Sequence, residues 1–169
     1  VLDDVAALAV YDVQDVLDME FFPGELETYR LAAGDIVLSE ASGSPDQVGK
    51  PAVWRDELPT CCFQNTVIRL RPVLLDNGYP LIVFRHYYWN KVFAKTAAGV
   101  GINHLSAAKF ARLPVPVAPR EEQKQIVAEV ERHLSIVQEA ESQIDANLRR
   151  AARLRQSILK RAFEGKLVS

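Results

Sequence analysis

Residues 120–164 read REEQKQIVAEVERHLSIVQEAESQIDANLRRAARLRQSILKRAFE, 45 positions without a glycine or a proline. Alanine, glutamate, glutamine, arginine and leucine dominate, all strong helix formers, so one continuous helix is predicted. Glu121 and Glu122 stand at its start and Lys160 and Arg161 in its last turn before Gly165, as the helix dipole and a glycine stop favour. Apolar residues recur with strict 3-4 spacing at Val127, Val130, Leu134, Val137, Ile144, Leu148, Ala151, Ile158 and Ala162, and Glu141 and Arg155 occupy two positions of the same seam. Such a pattern predicts a coiled-coil helix, about 67 Å long at 1.5 Å per residue. That is far more than a domain of this size needs to cover itself, so most of the stripe is expected to meet another helix.

Upstream, Leu113-Pro-Val-Pro-Val-Ala-Pro119 forbids helix and predicts a stiff, extended connector. Before it lie seven of the eight glycines and six of the nine prolines. They separate short apolar runs, Asp35–Leu38, Thr66–Leu70 and Pro80–Phe84, which read as strands. Residues 14–22 and 104–112 read as short helices, the second with Ser106 as N-cap. The fold class expected is therefore α+β: a mixed domain of short strands and long loops over residues 1–113, then the connector and one long helix over 114–169.

About half the 169 residues are apolar, enough for one domain with a core. Residues 1–27 hold eight acids and no lysine or arginine. From 28 to 113, ten basic residues stand against six acidic ones (+4), and from 114 to 169 ten against eight (+2), within a total of −2. Two adjacent cysteines, Cys61 and Cys62, are poorly placed to bridge each other, which fits a reducing, cytoplasmic setting. No apolar run approaches the roughly 20 residues that a membrane helix needs, so no membrane partner is expected. The chain opens on Val1-Leu-Asp-Asp4, which reads as a fragment or a chain whose beginning is not represented.

No catalytic constellation stands out. His86, His104 and His133 lack metal-ligand spacing to one another or to the cysteines, so no metal is expected. Gly99-Val-Gly101 lacks the rest of a dinucleotide fingerprint, and Ser42-Gly-Ser44 runs into Pro45 rather than completing a nucleophile elbow. No cofactor and no reaction are assigned. What remains are groups suited to phosphates and base edges: Ser42, Ser44, Gln47 and Lys50 in the loop 39–50, then Arg85, His86, Tyr88, Asn90, Lys91 and Lys95, where cations interleave with aromatics, and Asn103. Tyr87, Trp89 and Phe93 in that stretch are candidates for core.

Three segments together resemble the specificity subunit of type I restriction-modification systems. The first is Tyr29–Ser44 (YRLAAGDIVLSEASGS) with Val48-Gly-Lys50; the second is Gly101–Pro116 (GINHLSAAKFARLPVP). The most specific is Pro119–Val127 (PREEQKQIV) leading to Leu154–Leu167 (LRQSILKRAFEGKL). The resemblance implies a non-catalytic target-recognition domain at about 1–113 and a conserved spacer helix at about 114–169. The implied partners are double-stranded DNA, methyltransferase and restriction subunits, and a second recognition half paired through antiparallel helices. Such subunits resemble two halves in tandem and this chain resembles one, so it is read as a half-subunit pairing with its copy or as a piece of a longer chain. Two heads on antiparallel helices would sit 60–70 Å apart at most, about two turns of B-DNA. Arg149, Arg150, Arg153 and Glu129 on the helix flanks are then a platform for methyltransferase subunits. Two other classes compete: a coiled-coil scaffold whose head binds protein, and a nuclease or methyltransferase domain, which the missing motifs disfavour.

Overall fold

The computed structural model describes residues 18–41, 47–75, 78–98 and 104–167. The chain divides into two compact units, Val1–Val127 and Ala128–Ser169.

The first unit is built on a three-stranded antiparallel sheet: β1 (Ile36–Ser39) lies between β2 (Pro51–Val53) and β3 (Val67–Leu70). Ile36 pairs with Val53 and Leu70, Val37 with Ala52 and Arg69, and Leu38 with Pro51 and Ile68. Side chains of a strand alternate between faces, so β1 feeds two cores. Ile36 and Leu38 join Ile68, Phe84, Phe93, Leu105 and Phe110 on the helical side. Val37 joins Leu31, Ala52 and Trp54 on the other. The helices of the unit are α1 (Glu25–Tyr29), α2 (Gly78–Trp89), α3 (Val92–Ala97), α4 (Ala107–Phe110) and the start of α5 (Arg120–Phe163).

Two expectations need correction. Pro80–Phe84 is not a strand but part of α2. Tyr79, Pro80, Val83 and Phe84 are buried, an i, i+4 pattern, and Pro80 falls in the first turn, where a missing N–H costs nothing. The helix expected over 14–22 is absent from its described part, 18–22; residues 14–17 lie outside the described residues. Instead Pro23-Gly24 opens a single turn at α1, with Gly24 left-handed (φ 90°) as N-cap. Phe22 N–H donates to Glu25 Oε2 at 3.0 Å, and Glu25 N–H to the Phe22 carbonyl at 3.0 Å. β2 falls outside the sequence reading because it is three residues long and begins with proline, tolerated at the start of an edge strand. The cap at Ser106 is as expected: its hydroxyl accepts from Lys109 N–H at the start of α4.

The Gly34-Asp35 pair locks the sheet. Gly34 takes φ 89°, and Asp35 N–H closes a turn onto the Ala32 carbonyl at 2.9 Å. The buried Asp35 carboxylate receives Arg71 Nε and Nη2, both at 2.7 Å, and Ala32 N–H at 2.9 Å. Burial pushes this carboxyl up, but the hydrogen bonds from Arg71 and Ala32 and the charges of Arg71 and Arg69 outweigh it, leaving its pKa below the ordinary value. A depressed carboxylate stabilises the fold above its unfolded pKa, about 3.9, and that contribution disappears as pH falls through the folded value. Asp35→Asn is expected to cost about 2–3 kcal/mol at pH 7. Urea unfolding from pH 7 down to pH 2 should show the gap between wild type and variant closing below about pH 4.

The connector packs on the first unit's core through Val115 and Ala118. Tyr79 hydroxyl donates to the Pro116 carbonyl at 3.2 Å and Tyr87 hydroxyl to the Pro114 carbonyl. Gln123, nearly without exposure, donates from Nε2 to the Ala118 carbonyl at 2.7 Å and caps the connector onto the first turn of α5. Ile126 and Val127 pack on the same core, Val127 against Gly78.

In the second unit α5 continues without a break to Phe163. Glu129, hydrogen-bonded by Arg132 and close to His133, has its pKa held at about 2, one of the i, i+3 and i, i+4 pairs that support the exposed flank. Val137, Ile144, Leu148 and Ile158 of the seam, with Leu154, Leu159 and Phe163 beside it, are exposed; Ile144 and Leu148 keep 58% and 62% of their surface.

Candidate nucleic-acid interface

Of the loop 39–50, Ser42 and Ser44 lie outside the described residues, as does Asn103. The described ends are tied: Gly49 N–H donates to the Ser39 carbonyl at 2.8 Å and Ser39 N–H to the Lys50 carbonyl at 3.3 Å. Gln47 is exposed and Lys50 half-buried, while Val48 and Gly49 between them are buried. Gly49 adopts φ 76°, and a Cβ there would stand 2.5 Å from the Phe93 ring. Packing of this glycine against α3 therefore carries Gln47 and Lys50 toward the elements that hold the second candidate group. On the far side of the loop, Ala41 pairs with His104, Leu105 N–H donates to the Glu40 carbonyl at 2.8 Å, and His104 Nε2 lies 3.2 Å from Glu40 Oε1.

The second group follows α2 into α3. His86, Asn90, Lys91 and Lys95 are exposed, and Arg85 and Tyr88 half-buried. Asn90 Nδ2 donates to the His86 carbonyl at 2.9 Å and lies 3.2 Å from His86 Nδ1. Lys91 occupies the left-handed region (φ 58°) at the α2–α3 junction, and its ammonium lies 5.9 Å from the centre of the Tyr88 ring. Of the three aromatics read as core candidates, Phe93 is fully buried and Tyr87 half-buried against it, but Trp89 keeps 46% of its surface.

Sequence reasoning missed Trp89 as a surface group. α2 packs on β2, and the charged group that acts on Arg85 is Arg55.

Cys61 and Cys62 are free and half-buried. Burial first, then the neighbouring Cys62 and Glu57, pushes the Cys61 thiol up; burial also raises Cys62, against a smaller opposing effect from Arg30. Neither is primed as a thiolate nucleophile. Among the described residues no group of three or more His, Cys, Asp or Glu is placed to hold a metal ion, and no helix is long and apolar enough to cross a membrane.

The first unit bears cations and exposed aromatics, and the long helix carries an apolar seam that is exposed from Val137 onward. The sequence over residues 12–150 matches the type I restriction modification DNA specificity domain, and the chain belongs to that family. It is 30% identical over 157 residues to the type I restriction enzyme EcoKI specificity subunit of Escherichia coli K12, covering 90% of this chain and 33% of that protein. Identity to the StySPI specificity subunit of Salmonella potsdam is 30% over 160 residues, covering 92% of this chain and 34% of that protein. A putative type I specificity subunit of Methanocaldococcus jannaschii, MjaX, is 29% identical over 105 residues, or 60% of this chain and 24% of that protein. The chain thus spans about a third of the length of the first two relatives.

Proposed function

We propose that this chain supplies sequence-specific DNA recognition to a type I restriction-modification complex. Residues 1–113 act as a target-recognition domain and 114–169 as connector and spacer helix; the chain itself carries out no chemistry and works in the cytoplasm. Gln47, Lys50, Arg85, His86, Tyr88, Asn90, Lys91 and Lys95, together with Ser42, Ser44 and Asn103, are the proposed DNA contacts. Methyltransferase and restriction subunits provide the reactions and much of the nonspecific attraction to phosphate, which fits a net charge of only −2. Arg149, Arg150 and Arg153 are the proposed platform for the methyltransferase subunits.

The observation that carries the reading is the unbroken α5 with its seam exposed from Val137 onward, in a chain of this family. We take Val130, Leu134, Val137, Ile144, Leu148, Ala151 and Ile158 to pair with a second helix of the same kind; Val127, at the head of the seam, packs within the first unit as well. The two charged interruptions choose the direction. In a parallel, in-register pair Glu141 meets Glu141 and Arg155 meets Arg155. In an antiparallel pair that keeps the apolar layers together, Glu141 lies about 4.5–6 Å along the axis from Arg155 of the other helix, twice over by symmetry. Forty-four residues of helix span about 66 Å, near two turns of B-DNA at about 34–36 Å each, so antiparallel helices can serve as a ruler between two half-sites.

Selection from a randomised duplex pool, with methyltransferase subunits added, tests this. Enrichment of a sequence in two parts with a fixed gap is expected, with affinity falling steeply as salt rises. A complex that retains duplexes without preferring any sequence contradicts it and favours a scaffold whose head binds protein.

A further inference from the structure

Glu40 and His104 come from distant parts of the chain, one just beyond β1 and the other ahead of α4, yet their side chains meet with His104 Nε2 3.2 Å from Glu40 Oε1. Their backbones meet as well: Ala41 pairs with His104, and Leu105 N–H donates to the Glu40 carbonyl at 2.8 Å. Each half of this junction is held from behind. Glu40 N–H donates to the Thr66 carbonyl at 2.8 Å, His104 N–H to the Ala97 carbonyl at 3.3 Å, and Lys109 Nζ to the His104 carbonyl at 3.3 Å. Leu105, next to His104, is fully buried in the larger core. The Glu40 side chain keeps 16% of its surface and that of His104 52%, so the imidazole answers a carboxylate that is largely covered. Among the described residues no other cation pairs with it. One peptide bond beyond the junction on each side stands a proposed DNA contact: Ser42 follows Ala41, and Asn103 precedes His104.

We propose that the hydrogen bond between His104 and Glu40 is a clasp that gives two DNA-contacting segments one common base. The proposal rests on the DNA-recognition reading above. Both are positioning residues: the clasp acts on the groups beside it and makes no contact with the duplex. Segments that must be ordered on binding draw on the affinity of the complex, and a base fixed beforehand removes part of that cost. The imidazole can donate from Nε2 both as the neutral tautomer that carries its proton there and as the cation. The sign of one substitution separates this role from a simple surface charge. A carboxylate near a polyanion opposes binding, so deleting a merely superficial Glu40 would tighten the complex. Deleting half of a clasp weakens it.

The test compares wild type with Glu40→Ala, His104→Ala and Glu40→Gln, in the full chain with methyltransferase subunits. Affinity is measured for a duplex carrying the sequence enriched by selection and for a scrambled duplex of the same length, well below the unfolding midpoint of each chain. Glu40→Ala and His104→Ala are each expected to weaken the enriched duplex about five- to tenfold. The scrambled duplex, held by phosphate contacts, should change less than about twofold, so that discrimination falls. Glu40→Gln keeps an acceptor for His104 Nε2 and should bind the enriched duplex within about twofold of wild type. Alanine variants that bind the enriched duplex as tightly as wild type or more tightly, or a Glu40→Gln chain as weak as Glu40→Ala, overturn the clasp and leave the DNA reading standing. A wild type that does not distinguish the two duplexes overturns the DNA reading and the clasp with it. If Glu40→Ala does not fold, His104→Ala, at a side chain with half its surface exposed, decides on the same two duplexes.

Discussion

On the proposed pairing of α5 with the α5 of a second copy, replacing Ile144 by proline is expected to leave the chain monomeric while its first unit stays folded. Ile144 lies mid-way along the seam and keeps more than half its surface exposed, so the substitution removes little packing within the chain. What it removes is the helical continuity of α5: proline deletes the bond to the carbonyl of residue 140 and clashes with that turn, at about 3 kcal/mol or more. If the paired seam holds two copies together, this loss weakens association at least about a hundredfold. Sedimentation velocity reads the association directly. Trp54, buried in the smaller core, reports the integrity of the first unit by fluorescence. Unchanged sedimentation would mean that α5 is not the assembly element.

Gly49→Val should be the most damaging single change in the first unit. The residue sits at φ 76°, a region that a β-branched side chain rarely enters, and its Cβ would meet the Phe93 ring at 2.5 Å. Phe93 has no room to yield: it is fully buried, with ring centres of Phe84, Tyr87 and Phe110 at 6.2, 5.8 and 6.1 Å. Backbone strain and overpacking together come to about 4 kcal/mol, a large share of the stability of a domain this size. Thermal unfolding should fall by about 10 °C or more. Gly49→Ala should lose less, since it lacks the branched methyls. Because Gly49 stands between Gln47 and Lys50, duplex binding should fall in the same variants even below their unfolding temperature. A Gly49→Val chain that melts with the wild type would show that the loop end is not anchored on Phe93.

Where local pattern decides structure, the sequence already carried the answer. The 3-4 seam and the absence of glycine and proline define α5 to within a residue of Arg120–Phe163. The apolar runs at 36–39 and 67–70 are strands because β1 is buried on both faces and β3 pairs along its whole length. Ser106 announces α4. Pro80–Phe84 misleads because an apolar run of five has the same composition in a buried strand and in a buried helix turn; only the burial of Tyr79, Pro80, Val83 and Phe84 together separates them. The polar surface was readable as composition and not as geometry. Lys91 over Tyr88 and Asn90 against His86 are local and lie inside the stretch that the interleaved cations marked. The packing of α2 on β2 joins segments some 30 residues apart, and no spacing rule links them.

The antiparallel pairing of α5 is the claim from which the two-site ruler follows, and spin-label distances test it most directly. Nitroxides at Ser135 and, separately, at Ala146, in a chain with Cys61 and Cys62 replaced by alanine, report the separation between copies by pulsed electron resonance. Antiparallel helices with Glu141 near Arg155 of the other copy place the Ala146 labels within about 25 Å of each other and the Ser135 labels about 33–44 Å apart along the axis. Short distances at both positions, as parallel helices would give, or no interspin distance at either, would contradict it.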